Sequence, residues 1–377
     1  MVRHDDDNDT IEPPSGAAER RVGHASRGER TWVLSNQSPS SVTPTVREVA
    51  RLAGVSPMTV SRTLSGGDNV RDELQERVMK AVATLGYHRN ENARSMRPGQ
   101  TSGLIGVAIT NLANPYYGQF ALGVEEVAAE HGRRMLLGNT GEDLARETQL
   151  VSDFVGRQVE GLVVVPTGAA VEHLRPELLG NIPLVLASRA VDGLDADTVL
   201  LDDVHGAYEA TKRMLEVGHR RIGFLGNALS VSTVGRRYEG YARALAEFGL
   251  EPDPMLVMRE QQDVHAAELA MAALLGLAVP PTAVFCANNR NTIGALHAIG
   301  RLHTDPRTAP ALVGFDNVEL AHLLRVPLLI VSHDPKELGV EAARMLFNRL
   351  DGGGGAEPPR LVELPVNVGT LQKWRAE

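Results

Sequence analysis

From Thr101 onward, short continuous apolar runs alternate with amphipathic segments of helical length. An uninterrupted apolar run is typical of a strand buried on both faces, as in a parallel sheet covered by helices. Helices are predicted between the runs, for example over residues 207–217 and 340–350. The predicted strands are Leu104–Ile109, Met135–Gly138, Leu162–Val165, Leu184–Ala187, Val199–Leu201, Ile222–Leu225, Ala283–Ala287 and Leu312–Phe315. They are too many for one small sheet, so we expect an α/β core of two doubly wound parallel-sheet subdomains, with ligands bound at the carboxyl ends of the strands.

Length and composition narrow the class of protein. A chain of 377 residues with 43% hydrophobic and 23% charged residues suits two or three compact globular units. No apolar run approaches the roughly 18 residues that cross a bilayer, and the acidic run 5–9 stands where an export signal needs basic and apolar residues. We therefore expect a cytoplasmic protein without membrane association. The single cysteine, Cys286, excludes a cysteine-cluster metal site, and we expect neither metal nor cofactor.

Residues 1–42 lack apolar periodicity and are rich in Asp, Ser, Pro, Gly and Arg, which predicts a disordered tail. A first short helix is predicted from the capping box Thr45–Glu48 to Gly54. A second begins at Ser56, with Pro57 in its first turn. Because only three residues separate these helices, the spacing indicates a helix-turn-helix. A third helix is predicted from about residue 72 to residue 86 and completes an all-α head over residues 43–91.

The second helix has two distinct faces. On a helical wheel Val60 and Leu64 fall on the core side, whereas Met58, Ser61 and Arg62 fall on the opposite side. Arg62 can donate two hydrogen bonds to guanine, and Met58 can pack against a thymine methyl group. Hydroxyls such as that of Ser61 suit phosphates. A plain three-helix bundle with a solvated arginine is the alternative interpretation of this spacing.

Charge is distributed unevenly along the chain. Residues 43–100 contain nine Lys/Arg and six Asp/Glu, a net +3, whereas residues 101–377 contain 24 basic and 34 acidic side chains, a net −10. The overall charge of −9 therefore does not exclude DNA as a partner of the head, because phosphates respond to the local charge.

The head resembles a known family. The blocks Ala53–Ser56 and Thr59–Arg62 are similar to the Ala-Gly-Val-Ser and Thr-Val-Ser-Arg blocks of the lac/gal repressor (LacI/GalR) family. The resemblance implies that the two residues between the blocks, Pro57 and Met58, determine operator choice. Arg71 and Arg89 depart from the family, which has a capping Ser or Thr and a proline there. The residues expected to bind DNA are Thr45, Ser56, Pro57, Met58, Thr59, Ser61, Arg62, Asn69, Tyr87, Asn90, Ala93, Arg94 and Met96.

Residues 92–100 resemble the hinge of the same family. The segment 92–97 is only about two turns long, too short for a stable isolated helix. The resemblance implies that paired hinges of a dimer fold in the minor groove, with Met96 as the apolar wedge and Arg94 on phosphates. A plain interdomain linker is the alternative.

Residues 101–370 resemble the family's core, which is similar to periplasmic sugar-binding proteins. The blocks Asn114–Tyr117, Arg237–Tyr241 and Val313–Asp316 carry the resemblance, and either tyrosine of the first block could instead be core. Ser188 replaces a common Asp, which removes one strong sugar acceptor, and Asn289 also stands where Asp is usual. The residues expected to bind the effector are Asn114, Tyr116, Tyr117, Ser188, Arg237, Asn288, Asp316 and His333.

Together these patterns predict a sequence-specific DNA-binding transcription regulator, a repressor controlled by a small-molecule effector of the carbohydrate class. Its expected partners are a palindromic double-stranded DNA operator and a second copy of the chain, with a tetramer left open. An enzyme is the main alternative, but no Gly-rich phosphate loop or catalytic motif is present. A solute-binding protein would have no use for the head. We expect an N-subdomain over about 101–200 plus 332–362 and a C-subdomain over about 201–331 plus 363–372.

Overall fold

The computed structural model describes residues 44–65, 70–88, 101–168, 170–302, 308–319, 321–323, 326–352 and 357–371. Two compact units divide at Arg89 and Asn90, and they are called the head and the core below. Several predictions lie outside the described residues. They are the tail (1–42), the hinge (92–100) and the site residues Asn69, Asn90, Ala93, Arg94 and Met96.

The head contains the helices α1 (Val46–Ala53), α2 (Pro57–Leu64) and α3 (Asp72–Leu85). Apolar side chains from all three, with Val49, Val60 and Val78 completely buried, form its hydrophobic core. Gly54 ends α1 in the left-handed conformation, with φ of 66°, which glycine adopts without steric cost. The predicted helix-turn-helix and its core-facing side are thus confirmed.

Two arginines lie near helix ends in the head, Arg77 at the turn between α1 and α2 and Arg71 at the start of α3. The Arg77 guanidinium donates from Nη2 to the carbonyl oxygen of Ala53 at 2.6 Å, which satisfies an unpaired acceptor at the end of α1. Arg71, at the N-cap of α3, makes no side-chain capping hydrogen bond. The first turn of α3 is therefore capped more weakly than a Ser or Thr would allow.

Within the described residues, the core contains two six-stranded sheets. Sheet A has the order β11-β5-β4-β3-β1-β2 and sheet B the order β12-β10-β9-β8-β6-β7. All pairs are parallel except β10 with β12. The strands are β1 (Leu104–Ile109), β2 (Arg134–Asn139), β3 (Gly161–Val164), β4 (Leu184–Ala187), β5 (Asp197–Leu201), β6 (Ile222–Leu225), β7 (Val257–Met258), β8 (Ala283–Cys286), β9 (Ala311–Phe315), β10 (Leu328–Ser332), β11 (Leu361–Leu364) and β12 (Asn367–Val368). The doubly wound architecture is confirmed.

The helices of the core cover both sheets. Those against sheet A are α4 (Pro115–Glu130), α5 (Leu144–Gly156), α6 (Pro176–Leu179) and α11 (Pro335–Leu350). Those against sheet B are α7 (Asp203–Glu216), α8 (Ser232–Glu247), α9 (Val264–Leu275) and α10 (Asn289–Leu302). Helices α4 and α11 cross closely, because Gly123 lies against the backbone of Lys336 and Gly339 against that of Phe120.

The structure corrects several predicted boundaries. The helix predicted over 207–217 begins at Asp203 because the Asp202 carboxylate caps it by accepting from His205 N at 3.3 Å. The helix predicted over 340–350 begins at Pro335, with Asp334 as its cap. Both starts precede the first apolar periodic residue, which the prediction used. The predicted ranges of β1, β4 and β6 are confirmed exactly, and the other five predicted strands differ by one or two residues at their ends.

The chain crosses between the sheets three times. It leaves sheet A after Leu201, returns after Ser332 with α11, and leaves again between Leu364 and Asn367. Strand β11 extends two residues beyond the division predicted at about residues 362 and 363, since all four of its residues pair with β5. Because β11 alternates exposed and half-buried positions as an edge strand, it lacks the continuous apolar run that identified the eight predicted strands.

Candidate functional site

The first turn of α2 is open to solvent. Ser56 accepts from Thr59 N at 3.1 Å, and Pro57 occupies the first helical position, so α2 starts sharply at this residue. Met58 is 63% exposed, whereas Val60 is completely buried. Pro57 and Arg62 are exposed as well. The sequence predicted this arrangement, which leaves an apolar group and a guanidinium available to the edges of bases.

Several hydroxyl groups near this turn already form hydrogen bonds within the head. The Thr45 hydroxyl and the Glu48 carboxylate form the predicted capping box, with Thr45 N donating to Glu48 Oε2 at 2.7 Å. These hydrogen bonds lower the pKa of Glu48. Ser56 Oγ lies 2.9 Å from Thr59 Oγ1, and Ser61 is half-buried. Contacts from Thr45, Ser56, Thr59 and Ser61 to phosphates stay predictions.

The structure places Tyr87 in the core of the head, and its contact with DNA stays a prediction. Its side chain, predicted to bind DNA, is only 8% exposed and belongs to the hydrophobic core of the head. Gly86 ends α3 in the left-handed conformation, and Tyr87 N then donates to the carbonyl of Val82 at 3.0 Å. This turn folds the ring back under the helices. Tyr87 therefore supports the fold of the head.

The core contains one cavity in which most predicted effector residues meet. It lies at the carboxyl ends of β1, β4, β6, β8 and β9, where the strand order reverses in both sheets, and such switch points are ligand sites in doubly wound folds. The free volume between the lining residues is about 80 Å³. The predicted residues that line it are Asn114, Tyr116, Tyr117, Ser188, Arg237, Asn288 and Asp316.

Arg237 is the centre of the polar network. It is 4% exposed, and it donates from Nε to Asp203 Oδ1 at 2.7 Å and from Nη1 to the carbonyl of Ala287 at 2.6 Å. Asp316 Oδ2 lies 3.5 Å from Nη1, and the guanidinium stacks over the ring of Phe315. Burial raises the pKa of Asp203 to about 6, and the charge of Arg237 opposes that shift. The network fixes a cation at the cleft despite its burial.

Asp316 and Ser188 occupy equivalent positions in the two sheets. Asp316 follows β9 and Ser188 follows β4, and these strands hold equivalent places in the orders of sheets B and A. Both residues have a left-handed backbone conformation, with φ of 68° and 65°. Among the described residues Asp316 Oδ1 is buried without a hydrogen bond, and it lies 3.8 Å from His333 Nδ1. An unsatisfied buried carboxylate oxygen at a cleft is a ready acceptor for ligand hydroxyl groups.

The two tyrosines differ in placement. Tyr117 is 8% exposed and joins the main hydrophobic core, although it also reaches the cavity, whereas Tyr116 is half-buried. Their rings meet edge to face at 5.0 Å, and burial raises the pKa of both. His333 lies behind Tyr116, with Nε2 3.3 Å from its hydroxyl, and is absent from the cavity lining. His333 thus positions Tyr116, and Tyr116 offers the ring for stacking.

Two contacts of the cleft were not anticipated. Arg189 donates from Nη2 to Glu142 Oε1 at 2.7 Å and from Nη1 to Oε2 at 2.8 Å. The side-chain amides of Asn114 and Asn289 exchange two hydrogen bonds, at 3.2 and 2.9 Å, between α4 on sheet A and α10 on sheet B. The polar residue types were visible in the sequence, but their partners lie 47 and 175 residues away.

The described residues contain no group of three His, Cys, Asp or Glu side chains that could hold a metal ion, and no described helix has the length and apolarity needed to span a membrane. Cys286 is completely buried in β8, and burial raises the pKa of its thiol to about 12. The thiol is therefore a packing group.

A helix-turn-helix with an exposed first turn, together with an α/β core whose polar cleft lies at two switch points, defines a class of DNA-binding regulator that senses a small molecule. Residues 45–90 match the family described as bacterial regulatory proteins, lacI family. Residues 102–367 match the description periplasmic binding proteins and sugar binding domain of LacI family. The chain belongs to the LacI family of bacterial transcription regulators.

Similar proteins extend over most of the chain. The ribose operon repressor of Haemophilus influenzae is 32% identical over 306 residues, which cover 81% of this chain and 92% of the relative. GalR, a transcriptional regulator of Escherichia coli K12, is 32% identical over 311 residues, covering 81% of this chain and 89% of its own length. The lac repressor dimer bound to operator and an anti-inducer has a TM-score of 0.74 at 23% identity, covering 88% and 99% of the two chains, and agrees in fold. The curated relatives are regulators of transcription.

Proposed function

We propose that this chain is a cytoplasmic, non-enzymatic repressor that binds a palindromic operator as a homodimer, and that a hydroxylated small molecule in the cleft of the core controls its affinity for DNA. The observation that carries the proposal is the cleft itself. It combines a buried arginine, an unsatisfied carboxylate oxygen and an aromatic ring at the switch points of two sheets. A polyol needs both donors and acceptors, and its C–H face can stack on a ring.

On the DNA side, the proposal rests on Pro57, Met58 and Arg62. All three are exposed on α2, next to the buried Val60 that anchors the helix. We assign Arg62 to guanine and Met58 to an apolar contact in the major groove. The hinge residues Ala93, Arg94 and Met96 complete the proposed DNA contacts.

Two-fold symmetry follows from the proposed operator, because a palindrome presents two equal half-sites to two equal heads. Exposed leucines on elements at the β2 edge of sheet A support an apolar contact between copies. They are Leu112, Leu122, Leu137 and Leu144. The ribose operon repressor is named for a sugar, and a carbohydrate effector suits the donors and acceptors of this cleft.

The test starts with selection of DNA sequences by the full chain, followed by footprinting. We expect a palindromic site whose affinity falls steeply with salt, since phosphate contacts release counterions. Replacing Arg62 with Ala is expected to weaken the selected site by about 1–3 kcal/mol and to relax preference at one position in each half-site. The exposed Arg47 supplies the control, because Arg47→Ala alters charge equally and should leave base preference unchanged. Selection without any preferred sequence would contradict the proposal.

A further inference from the structure

We infer that the effector carries an anionic group, a carboxylate or a phosphate, and that Arg290 binds it. The inference rests on the proposed function, because it assumes that the cleft of the core is the effector site. It specifies the chemical class of the ligand as a hydroxylated acid rather than a neutral sugar.

The first observation is the state of Arg290. It is the second residue of α10 and lines the same cavity as Arg237 and Asp316. Within the described part of the chain its guanidinium makes neither a hydrogen bond nor an ion pair, and its Nε is buried without a partner. A buried N–H donor is satisfied in nearly all folded proteins, so this guanidinium is available for a partner that enters the cleft.

The second observation is that the other arginines that line the cavity already form ion pairs. Arg189 forms a two-point ion pair with Glu142, and Arg237 lies between Asp203 and Asp316. The carboxylates among the lining residues, Glu142 and Asp316, are therefore each engaged by an arginine. Among the described residues that line the cavity, Arg290 is the arginine that forms no ion pair.

The residues next to Arg290 in the sequence carry no negative charge. Its sequence neighbours are Asn288, Asn289 and Asn291, and the first turn of α10 contains no acidic residue. The Asn289 side chain is hydrogen-bonded to Asn114. The side-chain carbonyl oxygen of Asn288 accepts a hydrogen bond from Asn291 N at 2.9 Å. The amino-terminal end of a helix also favours an anion.

The two ends of the cleft thus differ in chemistry. At one end, Asp316 and Arg237 offer an acceptor and donors to hydroxyl groups. Arg237 donates to the carbonyl of Ala287, directly before the turn from which α10 and Arg290 begin, so the hydroxyl end and the cationic end adjoin. A compact molecule with hydroxyl groups and one terminal anion satisfies both. Carboxylate and phosphate share the geometry that a guanidinium fork binds.

The experiment is calorimetric titration of the full chain with two matched series, D-ribose, D-ribonate and D-ribose 5-phosphate, then D-glucose, D-gluconate and D-glucose 6-phosphate. We expect an anionic member to bind about 10- to 100-fold more tightly than its neutral partner, as one charge-assisted fork would provide. The arms of each series distinguish carboxylate from phosphate. Arg290→Gln should abolish the preference, and Arg290→Lys should retain part of it.

Arg301 provides the matched control. It lies on the same helix, is highly exposed and pairs with Glu268 at 2.7 Å, so Arg301→Gln removes the same charge without touching the cleft and should preserve the preference. Equal binding of neutral and anionic members, no binding by either series, or an unchanged preference in Arg290→Gln would overturn the inference and leave the cleft intact as a proposed effector site. Binding that survives both Arg290→Gln and Arg237→Gln unchanged would remove the cleft as the site and contradict the proposed function.

Discussion

Backbone strain at two residues shapes the cleft. Ser188 and Asp316 are non-glycine residues in the left-handed region, where each costs on the order of 1–3 kcal/mol. They follow the equivalent strands β4 and β9, so the strain occurs twice in the repeated topology. At both positions it turns a polar side chain toward the cavity and away from the sheet. The strain is maintained by the packing of the strands beneath, and it places the acceptor of Asp316 where Arg237 can reach it.

The pH dependence of stability is expected to report on His333. Burial lowers the pKa of this imidazole below 6.5, so the unfolded chain binds the proton more readily than the folded chain. The stability that the neutral ring contributes is fully present above pH 6.5 and is lost as the pH falls through the folded pKa. Thermal unfolding of His333→Gln between pH 7.5 and 5 should therefore show a shallower decline than that of the unsubstituted chain.

A second histidine separates this effect from general acid destabilisation. His265 is exposed on α9, and His265→Gln should decline with pH as steeply as the unsubstituted chain. Identical slopes for the unsubstituted chain and His333→Gln would show that the buried imidazole does not contribute to the pH dependence.

At the scale of the elements, helices α4 and α11 cross closely over one face of sheet A. Their backbones approach closely where Gly123 faces Lys336 and Gly339 faces Phe120. A side chain at either glycine would overlap a carbonyl group of the other helix. Because α4 begins at Asn114 and carries Tyr116, the close crossing also fixes the position of two cleft residues.

Substitution of Gly123 by Ala is expected to destabilise the core by about 1–3 kcal/mol, because an overpacked contact with backbone cannot be relieved by a rotamer change. Gly118 lies on the same helix with open space around its Cβ position. Gly118→Ala should stabilise the chain by up to about 1 kcal/mol, since Ala is the better helix former. Chemical denaturation measures both. Equal effects of the two substitutions would show that the crossing tolerates a methyl group.

The sequence was sufficient for elements whose signals are local. Continuous apolar runs located β1, β4 and β6 exactly, and the cap at Ser56 located α2. It was insufficient for β11, whose alternating exposure is set by its place at a sheet edge. The same difference between local and long-range signals applies to the residues of the cleft. The blocks around Asn114, Arg237 and Asp316 identified ligand residues, whereas the partners of Arg189 and Asn289 depend on contacts between distant segments.

For the core as a whole, the cleft lies next to the segments that join its two sheets. Three segments cross between the subdomains, and the site residues Asp203 and His333 lie in or directly after two of them. Arg236 on α8 donates at 2.5 Å to Glu363 of β11, the strand that directly precedes the third crossing segment. A ligand that prefers one angle between the subdomains can therefore shift the populations of open and closed states.

The reciprocal amide pair of Asn114 and Asn289 is expected to hold the cleft closed. Both side chains are buried, and Asn289→Ala would leave the Asn114 amide without its partner across the cleft, at a cost of about 1–2 kcal/mol in the closed state. We expect the affinity for a bound sugar or sugar acid to fall about five- to thirtyfold, and small-angle scattering to show a larger radius of gyration. Because Asn114 also caps α4 by accepting from Tyr116 N, Asn114→Ala should cost more. A double-mutant cycle isolates the pair, and strictly additive costs would show that the two amides do not act together across the cleft.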